Sequence, residues 1–231
     1  AHVGGRDAHG PRAAVRVRLR QPPPLETPMS VVVDEDPAGA MRLLFGGALI
    51  ADAAPAALDA QPVEAVTPGA AEGAEASYPG LTQHPFPTCF TCGPQRGDGD
   101  GLRLRPGRLH DGRTACTWVP HFSLAGGDGR HVRDEFVWAA LDCPGGWTAD
   151  LAGRPLVLGT ITAQVDASAE VGERHVVMGR LLGQEGRRTF TATTVYDSDG
   201  RVVGRAEHTW VAVDPRTFAD GPAERTPRTR L

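Results

Sequence analysis

One stretch of the chain has the spacing of an amphipathic helix, and most of the other patterned sequence is typical of β-strands. Residues 134–143, DEFVWAALDC, repeat apolar side chains at helical intervals. Asp134 is the predicted N-cap of this helix, and Pro144 is expected to kink or end it. Because a single helix has one apolar stripe, we expect it to pack against a sheet that curves around it.

Strand patterns lie on both sides of this helix. VRVRLR at 15–20 alternates apolar and basic residues, which predicts a strand with one solvent-facing side. MSVVVDE, AMRLLFG and ALIADA predict three more short strands, and GLRLRPGRLHDGRTACTWVP predicts two strands around its His-Asp-Gly turn. The remaining strands are predicted at 156–165, 175–183 and 189–213, the last stretch folded back at the turn of residues 197–200.

The patterned segments divide the chain into five parts. These are a flexible N-terminus (1–14), an N-terminal β-rich subdomain (15–58), a surface linker (59–83), a main domain (84–213) and a flexible tail (214–231). The main domain has the element order strand, strand, helix and four strands. That order favours an α+β fold in which a long antiparallel β-sheet wraps around one central helix.

Composition excludes several classes of function. All 24 basic residues counted as Lys or Arg are arginine, so a Walker phosphate loop and Schiff-base chemistry are excluded. The net charge of −4 provides no basic excess for binding nucleic acid. No apolar run reaches the length of a membrane span, and the first residues lack the apolar core of a signal peptide. We therefore expect a cytoplasmic protein without a membrane partner.

Two motifs resemble the phenylacetate-type thioesterases of the hotdog-fold acyl-CoA thioesterase superfamily. CFTCGPQRGDGDGLRLRPG, from Cys89 to Gly107, is similar to the CFxCG, turn and GLxL strand start of that family, and AALDCPGGWTA is similar to its helix. The resemblance extends over residues 84–213. It implies the hotdog fold, an acyl-CoA or related thioester as the partner, assembly as a homodimer or higher oligomer, and no cofactor.

The same resemblance implies the catalytic residues. In the family an HGG motif starts the helix and its backbone amides form an oxyanion hole, while an aspartate nine residues after the histidine activates water or attacks the thioester. Asp142 matches that aspartate, whereas Arg133, Asp134 and Glu135 stand where HGG is expected. Glu135 is a second catalytic candidate because a related hotdog branch uses a helix glutamate. For Asp134 and Glu135 the structural alternative is helix capping.

Further residues are candidates for binding the substrate. Trp138 lies one helical turn before Asp142, and His131, two residues before the HGG position, is placed to contact a carbonyl. Guanidinium groups bind phosphates well, and solvated strand faces are the structural alternative for arginines. The candidates for the coenzyme A diphosphate are Arg154, Arg180, Arg187 and Arg188.

Cys89-x-x-Cys92 has the spacing of a zinc knuckle or a redox pair. A zinc site needs two more ligands, and the sequence shows no second paired spacing among the candidates. We therefore expect the pair to pack at the mouth of the sheet without a metal. The candidates for the additional ligands are His84, His110, Cys116 and His121.

Two functions remain open from the sequence. The first is a thioesterase-like protein that hydrolyses an acyl-CoA with the helix aspartate. The alternative is a non-catalytic acyl-CoA or lipid-binding hotdog protein that has lost the HGG oxyanion geometry. A hotdog hydratase is disfavoured because its signature requires asparagine, which this chain lacks.

The N-terminal β-rich subdomain (15–58) is interpreted as a reduced second hotdog unit. LLFGGALIADA and VYDSDGRVVGRAEH share the outline of strand, glycine turn and strand. Hotdog units usually pair edge to edge into one continuous sheet, and a tandem chain can supply both. This first unit is expected to lack a helix.

Overall fold

The computed structural model describes residues 13–35 and 39–214, which form one antiparallel sheet of ten strands with two α-helices. The strand order in the sheet is β2-β3-β4-β1-β7-β10-β9-β8-β6-β5. The flexible ends predicted at 1–14 and 214–231 lie almost wholly outside the described residues. The strands are β1 (Val15–Leu19), β2 (Ser30–Asp34), β3 (Ala40–Phe45), β4 (Ala48–Pro55), β5 (Gly107–Arg108), β6 (Thr114–Trp118), β7 (Leu156–Val165), β8 (His175–Glu185), β9 (Arg188–Tyr196) and β10 (Val202–Ala212).

Helix α2 (Asp134–Gly146) packs across β6 to β10 and supplies one side of the main core. The helix continues through Pro144 instead of ending there. The prediction that Asp134 caps it is wrong, because Arg133 is the N-cap residue and no side chain bonds to the first turn from that position. A large antiparallel sheet with few helices fits the predicted hotdog-like fold class.

Residues 59–83, predicted as a surface linker, instead contain helix α1 (Pro68–Ala74) and cover the opposite face of the sheet. Thr67 caps α1 by accepting a hydrogen bond from the Ala70 amide. Val63 is fully buried, and its amide donates to Thr194 Oγ1 at 2.9 Å. The burial of this segment could not be predicted from its composition. Its alanines are small, and the larger side chains that they pack against belong to the sheet.

The N-terminal strands continue the same sheet. β1 pairs antiparallel with β7 on one side and with β4 on the other, so that Val17 lies opposite both Ile161 and Ala53. The outer strand β2 leaves Val31 and Val33 more than 60% exposed, at 63% and 65%. Among the residues described, neither α-helix packs on β2, β3 or β4. No helix in the described part of the chain is long and apolar enough to cross a membrane.

Strand β10 carries a buried histidine behind the helix. His208 is 3% exposed, its Nδ1 lies 3.2 Å from Thr191 Oγ1, and its Nε2 has no hydrogen-bond partner. Burial lowers the pKa of His208 from 6.5 to about 4. The imidazole is therefore neutral in the folded protein at pH values where an unfolded chain takes up a proton.

This difference predicts a loss of stability in acid. Because the unfolded state binds the extra proton, the free energy of unfolding contributed by His208 falls by about 1 kcal/mol between pH 6.5 and 5.5. In His208→Gln that contribution to the pH dependence is expected to vanish, as measured by urea unfolding at both pH values. His110→Gln, in an exposed turn, is the control for loss of a histidine. Equal pH dependence of the wild type and His208→Gln would contradict a neutral buried His208.

Candidate functional site

Asp142 lies in the second half of α2, and one of its carboxylate oxygens has no hydrogen-bond partner. The residue is partly exposed, but its Oδ1 is out of contact with solvent and has no hydrogen-bond partner. Burial, and after it the nearby Cys89 sulfur, raises the pKa of Asp142 to about 7. Buried polar atoms are normally hydrogen-bonded, so an orphaned carboxylate oxygen needs a functional explanation. A carboxyl group with such a pKa can both accept and return a proton near neutrality.

Helix periodicity places Asp142 beside the core and not inside it. Glu135, Trp138 and Asp142 are spaced i, i+3 and i+7 and therefore share one stripe of α2. Trp138 is partly buried and packs against the main core. The buried stripe of the same helix consists of Val137, Ala140, Leu141 and Pro144. The carboxylate is thus held by a helix whose orientation the core fixes.

The start of α2 carries charged side chains where the family has HGG. Arg133 Nε lies 3.3 Å from Glu135 Oε1, and the Arg133 guanidinium lies 4.6 Å from the centre of the Phe136 ring. Eight residues separate Asp134 from Asp142, which at 1.5 Å per residue is about 12 Å along the helix axis. One thioester carbonyl cannot contact both the first amides of α2 and the carboxylate of Asp142 in the same chain.

His131 is engaged with its own loop. Its Nδ1 lies 2.5 Å from Asp128 Oδ2, and its amide donates to Asp128 Oδ1 at 3.0 Å. A β-bridge to Glu170 fixes the backbone of the same residue. These contacts support a structural role in the loop before α2. The predicted contact of His131 with a substrate carbonyl is untested and stays a prediction.

The four arginines predicted to bind a diphosphate have different surroundings. Arg154 Nη2 donates to Gly186 O at 2.6 Å, and Arg187 Nη2 donates to Ala212 O at 2.9 Å. Arg188 Nη2 donates to Glu185 Oε2 at 2.8 Å. These three arginines therefore already bind groups of the protein.

Arg180 on β8 differs from the other three. It lines a cleft with Asp111, Arg113, Thr148 and Leu181. Within the described ranges Arg180 forms no ion pair, and its Nε has no hydrogen-bond partner. Arg154 lines a second cleft, which also includes Leu181. Of the four predicted arginines, Arg180 is thus the one with a buried guanidinium nitrogen that has no hydrogen-bond partner.

Beside Asp142 the structure brings Cys143 next to the Cys89-x-x-Cys92 pair. The Sγ atoms of Cys89, Cys92 and Cys143 all lie within 4.8 Å of one another, with Cys89 Sγ and Cys143 Sγ 3.5 Å apart. All three are free thiols. The CxxC spacing was the signal for two of them, but Cys143 belongs to the distant helix α2 and has no paired spacing. Cys116, a proposed partner, is buried elsewhere in the main core.

Comparison with known proteins identifies structures similar to this chain. A thioesterase superfamily protein is 21% identical, with 52% of this chain and 60% of that chain covered and a TM-score of 0.46. The PaaI protein from the phenylacetic acid degradation operon of E. coli is 10% identical, with 45% and 74% covered and a TM-score of 0.42. A hypothetical thioesterase from Streptococcus pneumoniae, solved with coenzyme A, is 14% identical, with 48% and 85% covered and a TM-score of 0.43.

These structures include the thioesterase superfamily and the phenylacetate-type protein that the two sequence motifs resemble. At such identities the similarity concerns the fold and assigns no function. No protein-family model and no curated protein matches the sequence. The function must therefore be inferred from the residues of this chain.

Proposed function

We propose that this chain is a thioesterase-like protein that acts on an acyl-CoA, with Asp142 as the general base of thioester hydrolysis. The observation that carries the proposal is the unpartnered, solvent-inaccessible Oδ1 of Asp142 on the helix that packs against the sheet. Its raised pKa suits proton transfer near neutral pH. Trp138, one turn earlier on the same stripe, offers an apolar wall for the acyl group.

The proposed reaction needs one carboxylate and one water molecule. The Asp142 carboxylate takes a proton from a water molecule. The oxygen of that water attacks the carbonyl carbon of the thioester at the same time. The tetrahedral intermediate collapses by breaking the carbon–sulfur bond, and the proton on Asp142 passes to the departing coenzyme A thiolate. The products are a carboxylic acid and coenzyme A, and the Asp142 carboxylate is regenerated.

Binding of an acyl-CoA without turnover is the second candidate function. It is favoured by the residues at the start of α2, where Arg133, Asp134 and Glu135 stand in place of HGG and the side chains of Arg133 and Glu135 form an ion pair. Carboxylate side chains at these positions would disfavour negative charge developing on a thioester oxygen. In this second function the fold retains the acyl-CoA site and has lost the oxyanion donors.

One experiment separates the two functions. Purified protein is incubated with acyl-CoAs of increasing chain length, while thiol release is followed by a thiol-reactive dye and binding by calorimetry. Thiol release above the uncatalysed rate supports the hydrolase, and saturable binding without release supports the binding protein. Neither binding nor release across the series would overturn both functions.

We propose that β1 to β4 are the reduced second hotdog unit predicted for residues 15–58. The pairing of β1 with β7 supports this proposal, since it continues the sheet beyond the edge of the helix-bearing unit. β1 occupies the free side of β7, so a homodimer or higher oligomer of this chain must form through another surface. The exposed valines of β2 lie on the strand that now ends the sheet.

Arg180 is the arginine proposed to contact the coenzyme A phosphates. Replacing Arg180 with alanine is expected to raise the Kd for coenzyme A about tenfold, because one charge-assisted hydrogen bond of roughly 1.5 kcal/mol is lost. Arg188→Ala is the matched control, since Arg188 is engaged with Glu185 and stacks over Phe190. Calorimetric titration with coenzyme A measures both. Equal Kd values for wild type and Arg180→Ala would exclude this contact.

A further inference from the structure

Three thiols from two separate segments meet at one point beside α2. Cys89 and Cys92 lie in the loop before β5, and Cys143 lies in the second half of the helix. Their sulfur atoms lie within 4.8 Å of one another, and Cys92 and Cys143 are buried.

The loop around Cys89 and Cys92 is a tight, hydrogen-bonded turn. The Cys89 amide donates to Phe86 O and the Gly93 amide donates to Cys89 O, both at 2.9 Å. A Cβ on Gly93 would lie 2.5 Å from Cys89 N and O, so the turn requires glycine at this position. Hydrogen bonds to sulfur favour the thiolate, which is the form of cysteine that binds metals.

Two side-chain donors point at the sulfur of Cys92. Trp147 Nε1–H donates to Cys92 Sγ at 3.4 Å, and Trp147 is fully buried. His84 Nε2 also lies 3.4 Å from Cys92 Sγ, while the Phe86 amide donates to His84 Nδ1 at 2.9 Å. A histidine that accepts at Nδ1 carries its proton on Nε2, so His84 donates to the sulfur in this arrangement. His84 therefore holds the Cys92 sulfur in position through this hydrogen bond.

We propose that Cys89, Cys92 and Cys143 bind a zinc ion through their thiolates. Thiolate sets select soft or borderline metals such as zinc. With Zn–S bonds of about 2.3 Å, two sulfurs of a tetrahedral site lie about 3.8 Å apart. The 3.5 Å between Cys89 Sγ and Cys143 Sγ is close to that value. Since Cys89 is only partly buried, water can fill the fourth position.

The ion would join the loop to the helix that carries Asp142. Besides its sulfurs, the loop is held by the Thr91 hydroxyl, which donates to Ala139 O at 3.0 Å, and by the Tyr78 hydroxyl, which donates to Cys92 O at 2.9 Å. Cys143 directly follows Asp142 in the helix. A zinc ion at Cys143 therefore stiffens the helix next to the proposed catalytic carboxylate, whichever of the two proposed functions the protein has.

The test measures metal content and needs no substrate. Protein purified with a reductant, incubated with zinc chloride and desalted is expected to retain about one zinc per chain by elemental analysis. Cys89→Ala and Cys143→Ala are expected to retain less than about a tenth of that amount. Cys116→Ala removes a buried thiol outside the cluster and is the matched control, expected to retain zinc as the wild type does.

Two further measurements keep the proposal testable if the cysteine variants fail to fold. Cobalt(II) titrated into chelator-treated wild type is expected to give thiolate-to-cobalt charge-transfer absorption that saturates at about one ion per chain. Removal of zinc is expected to lower the Tm by about 10 °C or more. His84→Ala is expected to weaken zinc affinity at least about tenfold in a competition with a chelating dye, as loss of a supporting hydrogen bond does.

Three results would overturn the zinc site. The first is wild-type protein that retains less than about a tenth of an equivalent of zinc after incubation with zinc chloride. The second is a Cys116→Ala variant that folds yet loses as much zinc as Cys89→Ala. The third is a disulfide between Cys89 and Cys143, found by mass spectrometry in protein alkylated at cell lysis, because two thiols consumed in a disulfide cannot bind the ion.

Discussion

Asp142→Asn is expected to lower kcat/KM for acyl-CoA hydrolysis by about 100-fold or more. Asparagine has nearly the shape of aspartate, but its amide cannot take a proton from water, and general-base catalysis by a positioned side chain typically contributes about 10²- to 10⁴-fold. Because no protein group bonds to Asp142 Oδ1, the substitution breaks no hydrogen bond at that atom. Steady-state kinetics with the best substrate of the acyl-CoA series measure the effect.

Glu135→Gln is the matched control for this prediction. Glu135 lies on the same stripe of α2, is exposed and pairs with Arg133, so its loss is expected to change kcat/KM by less than about twofold. The zinc content of Asp142→Asn should be measured as well, since Asp142 adjoins Cys143. Full activity in Asp142→Asn would overturn its role as base. A large loss in Glu135→Gln would transfer that role to Glu135.

Gly179→Ala is expected to lower the free energy of unfolding by about 3 kcal/mol or more. Gly179 lies on β8 where the strand passes directly beneath α2, and a Cβ there would overlap Pro144 O and Thr114 Oγ1. These two atoms are joined by a 2.7 Å hydrogen bond from Thr114 to the helix carbonyl. The added methyl group has no free space between β8 and the Pro144 carbonyl. It must therefore push α2 away from the sheet. Urea unfolding measures the loss.

Gly183→Ala, four residues along the same strand, is the control. A Cβ at Gly183 meets no atom within 4 Å, so the substitution is expected to change stability by less than about 0.5 kcal/mol. Equal effects at the two positions would show that strand propensity, and not contact with α2, determines the cost. If Gly179→Ala folds with native stability, the close contact of β8 with Pro144 is wrong.

The strands and the main helix were predictable because their patterns are local. β7 was predicted at its observed bounds of 156–165, and the predicted 134–143 matches α2 except for its last turn. Alternation of apolar and polar residues identifies a strand with one buried face wherever that face packs. The N-cap was predicted one residue too late. The residue at which a helix begins depends on the backbone torsions of the preceding loop, which the local pattern does not show.

The covering segment and the thiol cluster were not predictable by the same reasoning. Helix α1 is short, and its alanines carry little signal of burial until the large side chains of the sheet are known. Cys143 has no sequence spacing to Cys89 that indicates a shared centre, because the loop and the helix meet only in the folded chain. The surroundings of Arg154 and Arg187 depend likewise on carbonyl groups far along the sequence.

The sequence by itself determined the number of long strands, the position of the main helix that carries Asp142, and the absence of lysine chemistry. Only the tertiary structure decided that β1 pairs with β7, that residues 59–83 cover the second face of the sheet, and that three thiols converge beside Asp142. The physical reason is the distance along the chain over which each kind of interaction acts. Hydrophobic periodicity and turn chemistry act over a few residues, whereas an orphaned carboxylate oxygen or a cluster of sulfurs exists only after distant segments have packed.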